Sequence, residues 1–170
     1  PPSMRPAIPP TEQDELFRGR VIQGEVHDEN CWVLGGCSGH AGLFAPVGDL
    51  LRFAQELLAT LRGDSTRASS LFDPATTRLF ATRTNTPANS SRALGWDTPS
   101  DTSSAGSCFG PSSIGHLGFT GTSLWLDPEQ DLAVVLLTNR TWPIRHNILI
   151  RELRPKFHDL LVRAAAQTGA

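Results

Sequence analysis

Residues 114–139 read IGHLGFTGTSLWLDPEQDLAVVLLTN, and this stretch decides the fold. Ile114–Phe119, Ser123–Asp127 and Leu132–Thr138 are three runs of strand-forming composition. The last contains the unbroken apolar series Leu132-Ala133-Val134-Val135-Leu136-Leu137, the pattern expected of a central strand buried on both faces. Asp127-Pro128-Glu129-Gln130-Asp131 supplies turn chemistry between the second and third runs. Connections this short imply antiparallel pairing, because parallel neighbours need a long crossover.

Helices are expected around this sheet. Val47, Leu50, Leu51, Ala54, Leu57, Leu58 and Leu61 draw one apolar stripe along residues 47–62, with Asp49 in the first turn, Arg62 in the last and Gly63 at the stop. A shorter helix should start with Asp73 as cap and Pro74 at its first position, ending near Ala81. A final helix, with Pro155 in its first turn, carries Phe157, Leu160, Leu161 and Ala164 on one face. Residues 1–13, with five prolines, read as an extended surface segment. Strand-like runs follow at Arg20–Val26 and Cys31–Leu34, before the glycine-rich stretch Gly35–Gly42. Residues 82–93 and 98–112 read as loops, with a brief strand possible at Leu94-Gly95-Trp96-Asp97. The expected fold class is α/β of the α+β kind, an antiparallel sheet flanked by helices. One domain spans 1–170: an irregular segment over 1–46, helices over 47–81, and the sheet with its terminal helix over 94–170. Three strands are few for so apolar a central strand, which suggests a sheet continued by other chain.

The composition narrows the function. Fifteen Lys and Arg against seventeen Asp and Glu give a net charge of −2, with no basic cluster, which argues against a nucleic-acid partner. Hydrophobic residues make up 39% and charged residues 19%, the balance of a globular protein with a real core. No apolar run approaches the roughly 20 residues of a membrane span, and no signal peptide is visible. Pro1-Pro2-Ser3-Met4-Arg5-Pro6 reads as a connecting stretch. Cys31, Cys37 and Cys108 form no C-x-x-C pair and are expected as free thiols. Lys156 is the only lysine, and tyrosine is absent.

The chemistry centres on Gly115-His116-Leu117-Gly118-Phe119-Thr120-Gly121-Thr122-Ser123. A glycine beside a strand lets a substrate approach the main chain, whose N–H can serve an oxyanion. A histidine there offers a charge adjustable near neutral pH. Ser38 lacks the glycine two residues on that a G-x-S-x-G elbow requires and is rejected as a nucleophile. His27, Asp28, His40 and His116 are zinc-compatible types, but without H-E-x-x-H spacing a metal-dependent hydrolase is the weaker alternative. His27-Asp28 more naturally fixes a loop at a cleft rim, and the four tryptophans serve mainly as core or rim packing.

The segment His116-Leu117-Gly118 resembles the third motif of the serine β-lactamase and penicillin-binding protein family, in the H-x-G form of its class C-like and esterase members. The flanking text is similar too: Gly24–Asp28, Gly39–Phe44, the Asp49–Leu58 helix, Leu94-Gly95-Trp96 and Leu124–Asn139, so that the likeness covers about residues 5–163. The resemblance implies that His116 takes the place of the motif lysine. It implies an oxyanion donor on the main chain of Phe119, after Gly118, and a substrate channel along Thr120, Gly121 and Thr122. The family's S-x-x-K and Y-x-N motifs are missing: Leu153 stands three places before the only lysine, and Y-x-N needs a tyrosine. By the family's order both would fall before residue 1. The chain then reads as the carboxy-terminal part of an acyl-serine hydrolase acting on a β-lactam, a D-Ala-D-Ala peptide or a small ester. The resemblance implies neither cofactor nor metal. It implies a small-molecule or peptidoglycan-like substrate, a partnership with the missing amino-terminal segment, and a periplasmic or extracellular location. A non-catalytic cell-wall or protein-interaction module on the same half-fold is the alternative.

Overall fold

Along Ser123–Asp127 alternate side chains enter two different cores, and the rest of the fold is layered on that alternation. A computed structural model describes residues 2–101 and 103–168. Leu126 joins Ala54, Leu57, Leu58 and Ile114 on one face of the sheet. Trp125 joins Ala105, Phe109, Val134 and Val162 on the other. The sheet lies between the two clusters, in a helix–sheet–helix arrangement.

The strands are β1 (Pro10–Asp14), β2 (Arg20–Gln23), β3 (Ile114–Leu117), β4 (Ser123–Asp127) and β5 (Leu132–Leu136). The helices are α1 (Glu29–Val33), α2 (Val47–Arg62), α3 (Pro74–Ala81) and α4 (Ile150–Thr168). Strands β3, β4 and β5 pair antiparallel in that order, with His116 opposite Leu124 and Trp125 opposite Val134. A separate antiparallel pair joins β1 to β2. The antiparallel sheet flanked by helices thus matches the expected class.

Several local expectations hold. Helix α2 starts and stops where its pattern placed it, ending at Gly63 in the left-handed conformation. Asp73 caps α3 by accepting from the Thr76 N–H at 2.7 Å, with Pro74 at the first position. The three cysteines are free.

Within this chain β4 is the middle of the three strands, and β5 pairs with β4 alone among the described residues. The alternate residues of β5 are covered by α2 and by the Trp125 cluster, so the run is buried from two faces as expected. Other expectations are corrected. Cys31–Leu34 is not a strand: Asp28 accepts from the Cys31 N–H at 2.7 Å and nucleates α1 instead. Residues 2–7 form a short 3-10 helix and residues 10–14 a strand, so the proline-rich start is not simply extended. Leu94-Gly95-Trp96-Asp97 forms only isolated bridges, Arg92 to Asp97 and Asp97 to Gly115. Helix α4 begins at Ile150, which places Pro155 beyond the first turn. Its buried stripe is Ile150, Arg154, His158 and Val162, spaced by four, whereas Leu160 is 66% exposed. Two polar side chains occupy core positions there, and a reading by hydrophobicity passes over them.

The β4–β5 hairpin is held by a buried carboxylate. Asp127 accepts from the N–H groups of Glu129 (2.9 Å), Gln130 (3.0 Å) and Gly110 (2.9 Å). Burial alone would raise its pKa, but these main-chain donors prevail and hold it below the ordinary 3.8. A depressed folded-state value means that the stabilisation is complete above pH 3.8 and is lost as pH falls through the folded value. Asp127→Ala should therefore lower unfolding free energy by about 2–3 kcal/mol at pH 7. In denaturant titrations at pH 7 and pH 3 the gap between variant and parent should narrow at the lower pH.

Candidate active site

Strand β3 is an outer strand of its sheet, and its hydrogen bonds alternate between two sides. Gly115 exchanges both main-chain bonds with Asp97, at 2.7 and 2.9 Å, on the side away from β4. His116 faces its partner Leu124 on β4, so the main chain of Leu117 turns to the outer edge. The strand then closes into a turn in which Gly118 N–H donates to Thr122 at 2.8 Å and Gly121 N–H to Gly118 at 3.1 Å. No hydrogen bond is formed by the Phe119 N–H among the described residues. That donor is free to meet an acceptor from outside the chain.

Glycine is required at 121, and at 118 it leaves room for the Thr122 side chain. A Cβ on Gly118 would stand 2.0 Å from the Thr122 hydroxyl oxygen. At Gly121, φ is +116°, and a Cβ would meet the Thr138 hydroxyl at 2.4 Å. Thr138 in turn donates to the Gly121 carbonyl at 2.7 Å, fixing the turn to the end of β5.

A cleft of about 720 Å³ opens beside this turn, with His116, Gly118, Phe119, Thr120 and Thr122 in its lining. His116 is exposed on that surface. Gly121, by contrast, is buried and lies off the lining. The structure thus brings together five of the six residues expected at the site, with the sixth supporting them from behind. Leu43 and Phe44, from the end of the glycine-rich stretch, also line the cleft and are largely exposed.

Ion pairs that pattern reading does not reach support His27 and Arg145, which also line the cleft. Buried Glu12 on β1 accepts from Arg145 Nε at 2.7 Å and Nη2 at 2.6 Å, and meets His27 Nε2 at 2.7 Å. Arg145 also reaches Glu29 at 2.7 Å. Burial would raise the Glu12 pKa, but the hydrogen bonds from Arg145 and His27 outweigh it and keep the carboxyl below its usual range. The Glu12 bond raises the Arg145 pKa further above its normal value. His27 itself is buried, and its ring stacks on Phe119, with centroids 5.5 Å apart and planes at 26°. The Arg140 guanidinium lies 4.1 Å from the same phenyl centroid and donates through Nε to the Phe119 carbonyl at 2.7 Å. Glu12 and Arg145 stand far apart in sequence, and no motif links them. Only a folded chain reveals the pairing.

His27-Asp28 does fix a loop at the cleft rim, as expected. Asp28 Oδ1 serves His40 Nε2 at 3.0 Å as well as the α1 cap, and His40 Nδ1 meets the Ser38 hydroxyl at 2.8 Å. These bonds tie the glycine-rich stretch to α1. Ser38 itself lies off the cleft lining, behind His40. Among the described residues no group of three His, Cys, Asp or Glu side chains is placed to hold a metal ion.

Comparison with known proteins places the chain in a family. The family model described as beta-lactamase matches residues 1–154. Proteins of Salmonella paratyphi B, Salmonella newport and Salmonella heidelberg, each named "Putative D-alanyl-D-alanine carboxypeptidase", are 37% identical to the chain over 128 residues. The aligned region covers 73% of this chain and 28% of each relative, so the chain spans well under half the length of the curated relatives it matches. With most of its residues matched by that family model, and with the H-x-G turn set on an outer strand over an open cleft, the chain belongs to the beta-lactamase family.

Proposed function

We propose that this chain forms one wall of the active site of an acyl-serine hydrolase that cleaves D-alanyl-D-alanine-type peptides. The observation that carries the reading is the joint placement of exposed His116 and the unbonded Phe119 N–H on one cleft. The printed name of the Salmonella relatives supports the peptide as substrate over a β-lactam or small ester.

The chemistry follows from what each group can do. A serine from a segment outside residues 1–170 attacks the scissile carbonyl, because this chain holds no S-x-x-K serine of its own. The carbonyl oxygen becomes an oxyanion, and the Phe119 N–H donates to it together with the amide of the attacking serine. The C–N bond then breaks, D-alanine leaves with a proton, and an acyl-serine ester remains for water to hydrolyse. His116, placed one pleat before the turn, holds the substrate carboxylate or passes a proton through its imidazole. The open main chain of Leu117 offers an extended peptide its own strand-like bonds. Thr120 and Thr122 line the path of the substrate.

Two outcomes test this. In the longer protein that supplies the serine, His116→Ala should lower the acylation rate about 100-fold, the scale of a positioned proton-transfer group. Stopped-flow acylation measures it, and an unchanged rate would remove His116 from the mechanism. Assayed side by side, a D-alanyl-D-alanine peptide should be turned over with a higher kcat/KM than a chromogenic β-lactam or a nitrophenyl ester. The reverse ranking would reassign the substrate.

A further inference from the structure

The oxyanion-donor reading concerns one peptide unit, Gly118 C=O to Phe119 N–H, and the far end of that unit is occupied by a cation. Arg154 of α4 donates through Nη2 to the Gly118 carbonyl at 2.7 Å and to the Thr122 carbonyl at 2.9 Å. We propose that Arg154 is a positioning residue for the oxyanion donor, holding the plane of the Gly118–Phe119 peptide and polarising it so that its N–H becomes a stronger donor. The inference rests on the reading of Phe119 given above.

Three observations carry it. Arg154 is only 6% exposed, and no carboxylate pairs with it among the described residues. Its Nε is buried without a hydrogen-bond partner. A guanidinium stays charged in proteins, and a buried charge without a counter-charge is unfavourable. A neutral donor would satisfy the Gly118 and Thr122 carbonyls without that penalty. What the cation adds is its field, and the nearest groups to feel it are the two carbonyls it touches. Withdrawing electron density at a carbonyl oxygen strengthens the N–H of the same amide, the cooperative effect seen along hydrogen-bonded chains. The second observation is that the next peptide is held in the same manner, since Arg140 Nε donates to the Phe119 carbonyl and Arg140 N–H to the Thr120 carbonyl at 2.8 Å. The Gly118 and Phe119 carbonyls therefore each accept from a guanidinium, while the Thr120 carbonyl accepts from the Arg140 main-chain N–H. The third is that the arginine side chains stand near enough to repel: burial and the Arg140 charge both push the Arg154 pKa down. Packing alone gives no reason to gather two cations on one turn.

The test has two arms. In this chain, labelled with ¹⁵N and ¹³C, Arg154→Met should shift the Gly118 carbonyl and Phe119 amide resonances, and Arg154→Lys should restore part of the shift. In the longer protein carrying the serine, Arg154→Met should lower kcat about tenfold, less than the 100-fold or more expected for deleting an oxyanion donor itself. KM should stay within about twofold, and affinity for phenylboronic acid, whose serine adduct is tetrahedral and anionic, should fall by the same factor as kcat. Arg154→Lys should recover part of both, and it carries the same measurements if the methionine variant does not fold. Unmoved Phe119 and Gly118 resonances overturn the proposal, whatever the longer protein's activity. So does an unchanged kcat, or a loss found wholly in KM. A Phe119 amide that responds to Arg154 beside a His116→Ala enzyme of unchanged rate would overturn the histidine's role and leave the arginine's standing.

Discussion

The bond from Gly118 N–H to the Thr122 carbonyl is the constraint on which the site depends. It continues the β3–β4 ladder one step past the last strand pair, and so makes the turn a rigid extension of the sheet rather than a loose loop. Everything near it is arranged to keep that bond in place. Glycine at 118 leaves room for the Thr122 hydroxyl, Thr138 ties the turn to β5, and two arginines occupy its outward carbonyls. A donor aimed at a developing negative charge helps only if it need not reorganise when the charge appears. On the proposed function, that immobility would come from sheet geometry and be supplied before any substrate arrives.

The sheet itself is held in register by its two cores. A one-residue slip of β4 would send Trp125 toward α2 and Leu126 toward the α4 side, so the alternation fixes which way His116 faces. The link from core packing to site geometry is thus direct: Ile114 is buried under α2, and His116, two residues on, emerges on the same face at the cleft. Helix α4 serves both ends of this arrangement. Val162 packs on Trp125, while Arg154, two turns earlier, reaches the Gly118–Thr122 turn.

Much of this was legible in the residues. The three strand runs, the hairpin turn at Asp127, the stripe of α2 and the caps of α3 are local signals, and each formed where its chemistry placed it. The H-x-G segment named the cleft wall, because glycine and histidine types leave a mark at short range. What escaped were the long-range polar contacts. Arg154 and His158 sit at core positions of α4, and a hydrophobicity pattern passes over both in favour of exposed Leu160. Glu12 and Arg145 signal nothing until the fold closes, yet their pair supports the histidine that stacks on Phe119.

The margin of β5 has a practical consequence. Strand β5 is apolar along its length and presents an unpaired main-chain ladder on its outer side among the described residues. Such a seam is a template for any extended segment of similar register, including another copy of itself. A strand from elsewhere laid along this margin would cover it; left bare, it invites such pairing. A lysine introduced on that outer side would be the simplest way to keep preparations monodisperse.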